Sequence, residues 1–246
     1  MAVTSLINRN MVNEGIGDST SQGVARTVGV VESAMTLNVG SGQEFTTLQE
    51  ALDWVEARVL LAEVTIQIAD GTYNMASGEY FNFEHPNYSM VNIIGNETTP
   101  ANVTFNFTSV IIGFRVGGVT LRKLAGIKVN GGSSNGFFAT RGGVISALDN
   151  VESYNNSQHG VFVSDGAYIY GNNVKCVSNS QTGFFAYMNA TMFMKDAISQ
   201  NNTQYGFAVN ILSAIRLINQ TVSGNGIGSY NIGTNSLSSD GSYITV

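Results

Sequence analysis

A 23-residue repeat runs through the second half of this chain and restricts it to a stacked architecture. Glycines recur at Gly113, Gly136, Gly160, Gly183 and Gly206, in steps of 23, 24, 23 and 23. Two further columns keep the beat, Asn156/Asn179/Asn202/Asn225 and Asn150/Asn173/Asp196/Asn219, every step being 23. One extra residue therefore lies between Gly136 and Asn150. Gly132 and Gly126 continue the two columns backwards by 24 residues each. Within each repeat the first and third residues after the glycine are apolar: Phe114/Val116, Phe137/Ala139, Val161/Val163, Phe184/Ala186 and Phe207/Val209. That alternation is a strand with one buried face. A second run alternates through Ala167/Ile169/Gly171, Ala190/Met192/Met194 and Ser213/Ile215/Leu217. A third, shorter run is Ile127/Val129, Val151/Ser153, Val174/Cys176 and Ala197/Ser199. Three strands per repeat and no helical period predict an all-β parallel β-helix, with like strands stacked about 4.8 Å apart. The general rule for parallel crossovers makes it right-handed. Between the strands, the Asn, Asp and Gly columns are expected at left-handed corners, and stacked Asn side chains can hydrogen-bond along the axis.

Composition fits such a stack. Only 11% of residues are charged, against about 25% in ordinary globular chains, because like charges in a column would sit close together. The net charge is −6 with no Lys/Arg cluster, which argues against nucleic acid as a partner. Two His and one Cys exclude an intrachain disulfide and give no zinc pattern, so no metal and no cofactor are expected. Cys176 falls in an inward column. No apolar run approaches the ~18 residues of a membrane span, and the first residues carry no export pattern. The expectation is a protein made inside a cell, not inserted in a membrane.

Residues 1–35 read differently. Gly15 to Gly23 is turn-rich, flanked by apolar pieces at Leu6–Ile7 and Val28–Val31. Either a disordered tail or an arm that docks into another protein fits. Thr36–Val39 is a short strand. Thr47 and Glu50 then form a capping box ahead of Leu48, Ala51, Leu52 and Val55, predicting one amphipathic helix from Leu48 to about Arg58 that covers the open end of the β-helix. Val64/Ile66/Ile68, Val91–Ile94 and Val103–Phe107 are strands, and Asn74 to Ser89 reads as a loop carrying Tyr80, Phe81, Phe83, His85 and Tyr88. About three irregular and five regular coils give a rod about 40 Å long. The β-helix is expected over 36–228 and a terminal cap or tail over 229–246.

The stretch from Gly42 to Leu52, followed by Val64 to Tyr73, resembles the opening of pectin-lyase-like β-helix proteins, pectin methylesterases included, and the repeats resemble the same superfamily. A chain with a small N-terminal arm and no export signal is similar, within it, to bacteriophage tail spikes and fibres. That resemblance implies a homotrimer on a virion, joined through its arm to another virion protein and meeting polysaccharide on the host surface. It transfers no active site: the Asp pair, Arg and Gln of the methylesterase motifs have no counterpart here.

Outward positions are where function can lie. Phe138, Phe162 and Phe185 form an outward column. A buried face between three parallel rods, a surface for stacking sugar rings, or a reversed parity that puts them in the core all fit. On the next strand Tyr168, Tyr170, Phe193, Lys195 and Arg216 face outward. Aromatic rings edged by cations suit a neutral or acidic glycan, and ordinary cross-strand pairing is the alternative. Lys128, Glu152 and Lys175 read as a structural charge ladder. Asp149, Asp165 and Asp196 read as turn residues, and His159 stacks on Thr182. No residue is singled out as catalytic. The expectation is a virion spike or fibre subunit that binds glycan without cleaving it, with a polysaccharide depolymerase on the same scaffold as the alternative.

Overall fold

The structure, a computed structural model, describes residues 29–107, 112–132, 134–232 and 243–246. Residues 1–28 of the expected arm and 233–242 of the expected tail lie outside it. The described residues form a right-handed parallel β-helix of three sheets, all of whose strand pairings are parallel. Sheet 1 runs from Met35–Val39 through Val64–Ile68, Val91–Ile94, Lys123–Ala125, Val144–Asp149, Tyr168–Asn172, Thr191–Lys195 and Ala214–Ile218 to Tyr243–Thr245. Sheet 2 runs from Gly71–Met75 to Thr221–Ser223, and sheet 3 from Phe81–Phe83 to Gly228–Ile232. Sheets 2 and 3 have seven strands each, so the described chain makes seven complete coils. The stack is about 40 Å long at ~4.8 Å per rung.

The parity read from the repeats is the parity of the core. All ten apolar residues after the column glycines are buried, as are the inward residues of the other two runs, Cys176 included. Register pairs them one above the other, as in Phe137 with Phe114 and Val161. The inward phenylalanines stack, Phe184 on Phe207 at 4.7 Å and Phe114 on Phe137 at 5.8 Å. Each such side chain contributes about 1.5–3 kcal/mol by leaving water.

The three polar columns do three different jobs. Asn150, Asn173, Asp196 and Asn219 have φ between 50° and 55°, and Gly126 at their head has φ 67°; this is the left-handed corner. The Asn156 column is not left-handed. It is a buried ladder in which the backbone N–H and Nδ2 of each Asn donate to Oδ1 of the next: Asn156 to Asn179 at 3.1 and 2.8 Å, Asn179 to Asn202 at 3.0 and 2.9 Å, Asn202 to Asn225 at 3.0 and 2.9 Å. Gly132 starts it by donating its N–H to Asn156 Oδ1 at 3.0 Å. The Gly113 column is not left-handed either. Its glycines are there for space: a Cβ on Gly136 would overlap Ser153 Oγ and lie 2.9 Å from the Gly160 carbonyl.

The extra residue of the 24-residue step is a β-bulge. The register of Val144–Asp149 against Tyr168–Asn172 shifts between Ile145 and Leu148, so Ser146 and Ala147 together oppose Tyr170. At the N-terminal end the helix spans Leu48–Glu56 with both halves of the capping box formed, and Leu48, Ala51, Leu52 and Val55 buried in the core. The expected loop at 74–89 is more ordered than its sequence suggests. Phe81–Phe83 is a strand of sheet 3, Pro86–Met90 is a 3₁₀ turn, and Phe81, Phe83 and Tyr88 are core residues. A three-residue strand offers only two inward positions, too few to show a period.

Candidate functional site

The outer face of sheet 1 gathers the five residues expected to meet a glycan. Tyr168 and Tyr170 sit on one strand, Phe193 and Lys195 on the next, and Arg216 on a third, in three consecutive rungs. Rungs about 4.8 Å apart, and Tyr168 and Lys195 two same-face steps of about 6.7 Å apart along the strand direction, make this a patch roughly 10 by 13 Å between Cα positions. Tyr170 and Phe193 are register partners whose rings stack at 5.0 Å and 5°. The Arg216 guanidinium lies over Phe193, 5.3 Å from the ring centre. The aromatic stack is therefore closed by a cation at its Arg216 end. Tyr168 is half-buried, Tyr170 is 37% exposed, and Lys195 is exposed with its nearest carboxylate, Asp196, at 3.9 Å. A cleft of about 620 Å³ opens beside Arg216, lined also by Ile218, Asn219 and Thr245.

Polar residues that sequence reasoning did not select border this patch. Asp149 pairs in register with Asn172, and Asn172 with Lys195. Asp149 is thus the end of a strand, not a turn residue, whereas Asp165 and Asp196 do occupy left-handed corners, with φ of 55° and 51°. The spacing carried the signal: Asp149 lies 23 residues before Asn172 and 46 before Lys195, which reads as outward. Asp149 Oδ1 and Asn172 Oδ1 are buried without a hydrogen-bond partner. Burial raises the Asp149 carboxyl above its ordinary range, against the pull of Lys123, and Glu97 adds to the rise. Lys123 Nζ is itself 2.8 Å from Glu97 Oε1. Asp149 thus lies within the electrostatic reach of the Lys123–Glu97 ion pair without being bonded to it. Glu152 pairs with Lys175 at 3.7 Å on sheet 2. Lys128 stacks in register on Glu152 but leans over the Tyr154 ring at 4.3 Å, so the charge ladder is closed by an aromatic ring.

On sheet 3, Phe138, Phe162 and Phe185 are half-buried and face outward, since their neighbours Phe137, Val161 and Phe184 fill the core. Reversed parity is excluded. The three rings stack at 5.0 and 5.4 Å. His159 is buried beneath them, 5.3 Å from Phe162 and 4.9 Å from Phe185, and its Nδ1 accepts the Thr182 N–H. Burial pushes its imidazole down to about 4. At the head of the stripe, Glu84 Oε1 takes Arg115 at 2.6 Å and Arg141 at 2.7 Å. The hydrogen bond from Arg115 holds the Glu84 carboxyl below its usual range.

Among the described residues, no group of three or more His, Cys, Asp or Glu is placed to hold a metal ion. No family description matches the chain, and no curated protein matches it. A solved structure similar to it is the pectin methylesterase from Aspergillus niger, 15% identical over 86% of this chain and 89% of that chain, with a TM-score of 0.45. So distant a likeness transfers neither residues nor activity.

Proposed function

We propose that this chain is a glycan-binding β-helix that works as a subunit of a homotrimeric virion spike or fibre. The observation that carries glycan binding is the convergence of Tyr168, Tyr170, Phe193, Lys195 and Arg216 on one outer face of sheet 1. A stacked aromatic pair closed by a guanidinium offers apolar ring surface beside fixed donors, the combination that sugar recognition uses. The half-buried ladder Phe138/Phe162/Phe185 supports the trimer: a stripe of this kind on a rod is best satisfied by a second and third copy. The virion setting, with an arm at 1–35 joining another virion protein, rests on the sequence resemblance. A printed array of bacterial surface polysaccharides tests the binding. The expected result is retention of at least one polysaccharide by the full chain and its loss in Tyr170→Ala and Arg216→Ala; retention of none ends the reading. Light scattering tests the trimer, with three times 26.2 kDa expected and a monomer at micromolar concentration refuting it.

One observation favours the depolymerase as a second reading. Asp149 has its carboxyl raised by burial at the edge of the aromatic patch, with Glu97 across Lys123. A carboxylic acid whose proton is held more tightly by burial is the kind of group that donates to a glycosidic oxygen while a second carboxylate assists. New reducing ends from a bound polysaccharide, absent with Asp149→Asn, support that reading. Binding without cleavage by the wild-type chain rules it out.

A further inference from the structure

We infer that the β-bulge at Ser146–Ala147 forms a one-ring notch in sheet 1 that seats a single pyranose against the free face of Tyr170; this rests on the glycan-binding reading above. Rings stacked along a column spend their faces on one another. Tyr170 and Phe193 cover each other at 5.0 Å, and Arg216 covers the far side of Phe193. That leaves the Tyr170 face turned toward the preceding rung. In a regular coil an outward side chain of that rung would cover it. Here the register breaks: Ile145 pairs with Ile169 and Leu148 with Gly171, so Tyr170 has no single partner and faces Ser146 and Ala147. Both are small, Ser146 exposed and Ala147 half-buried.

One rung further, Leu121 pairs with Ile145 and Leu124 with Leu148, so Arg122 and Lys123 stand opposite the bulge. Both long side chains are pinned by carboxylates, Arg122 to Glu63 at 2.6 Å and Lys123 to Glu97 at 2.8 Å. The result is a gap with Tyr170 as one wall, the Arg122 and Lys123 stems as the other, and Ser146 and Ala147 as floor. The walls are two rungs apart, about 9.6 Å between backbone centres. A saturated six-membered ring midway lies about 4.8 Å from each wall, within the range of ring stacking contacts. Its apolar C–H face meets Tyr170, and its hydroxyl rim meets the polar edge held by Asp149, diagonal to Tyr170 in the sheet. Bulges commonly sit beside active sites because they re-aim side chains; this one opens a space by leaving a position without a tall residue.

Saturation-transfer NMR on the full chain tests the notch, with methyl α-D-glucopyranoside, methyl α-D-galactopyranoside and methyl α-D-glucuronate as probes. The expected result is transfer to ring C–H protons of at least one probe, lost in Tyr170→Ala and in Ser146→Tyr, which fills the gap from an exposed position. Lys128→Gln on the outer face of sheet 2 leaves the transfer intact. On the polysaccharide array the same two sheet 1 variants weaken retention by at least about tenfold, with unchanged urea midpoints showing that they fold. If Ser146→Tyr and Tyr170→Ala retain polysaccharide as wild type does while Arg216→Ala does not, the notch is wrong and glycan binding stands. If the wild-type chain takes neither monosaccharide nor polysaccharide, both fall together.

Discussion

Replacing Asn179 by Ala tests the stacking on which the whole molecule depends. Asn179 is fully buried, and its side chain makes four hydrogen bonds. Its Oδ1 accepts from the backbone N–H and Nδ2 of Asn156; its Nδ2 donates to the Ser153 carbonyl at 3.2 Å and to Asn202 Oδ1 at 2.9 Å. Two partners keep a second bond after truncation, Asn156 Nδ2 with Ser153 Oγ and Asn202 Oδ1 with the residue 179 N–H. The Asn156 N–H keeps none of these. One orphaned buried donor at about 1–3 kcal/mol and three lost bonds at about 1 kcal/mol each sum to roughly 4 kcal/mol, allowing for partial relaxation. Asn225, at the far end of the ladder, is half-buried and makes three such bonds. Water replaces part of what its truncation removes, so Asn225→Ala costs about 1 kcal/mol. Urea unfolding followed by circular dichroism reads both, at constant m-value. A loss below about 1 kcal/mol for Asn179→Ala, or equal losses in the two variants, refutes the ladder as a source of stability.

Three further outcomes follow from other parts of the molecule. His159 titrates at about 4 when folded against its ordinary value of 6.5; between those values the unfolded chain binds the extra proton, so stability falls as pH drops from 6.5 to 4. The loss is about 3 kcal/mol between pH 7 and pH 4, and the stability difference between wild type and His159→Gln, read from urea unfolding, should change by that amount across the range; a difference that stays constant with pH refutes it. Thr47→Ala removes the side chain that accepts the Glu50 N–H at 3.3 Å and should cost about 1 kcal/mol; a cost within error of zero means the helix is not held by its cap. Phe162→Ser, at the middle of the sheet 3 stripe, should shift light scattering from trimer toward monomer, and an unchanged trimer moves the interface elsewhere.

The regular coils were legible because packing in a β-helix is written at fixed intervals. Phe137, Val161 and Phe184 declare the inward face three times over, so one ambiguous residue does no harm. The irregular coils lack that redundancy: Phe81 and Phe83 flank a single Asn, and only their place above Phe114 makes them a strand. The polar columns were legible as positions but not as roles. Asn tolerates a left-handed corner and also hydrogen-bonds along an axis, and only coordinates separate Asn150 from Asn156. Asp149 reads as a corner because it directly precedes Asn150, the left-handed residue of its coil, although its 23-residue step to Asn172 marks it as a strand end. That Tyr168, Tyr170, Phe193, Lys195 and Arg216 share one outer face was legible because outward parity on three regular rungs needs no knowledge of the neighbouring coil.

The Asn ladder has a direction, each amide giving to the rung after it, and every interior link is chemically the same. A coil is therefore an interchangeable module. Duplicating 180–202 should yield a shaft one step longer, about 4.8 Å, with both ends untouched, whereas an insertion that is not a whole coil breaks the chain of amides. Repetition of that module varies reach in whole increments, without redesigning either terminus.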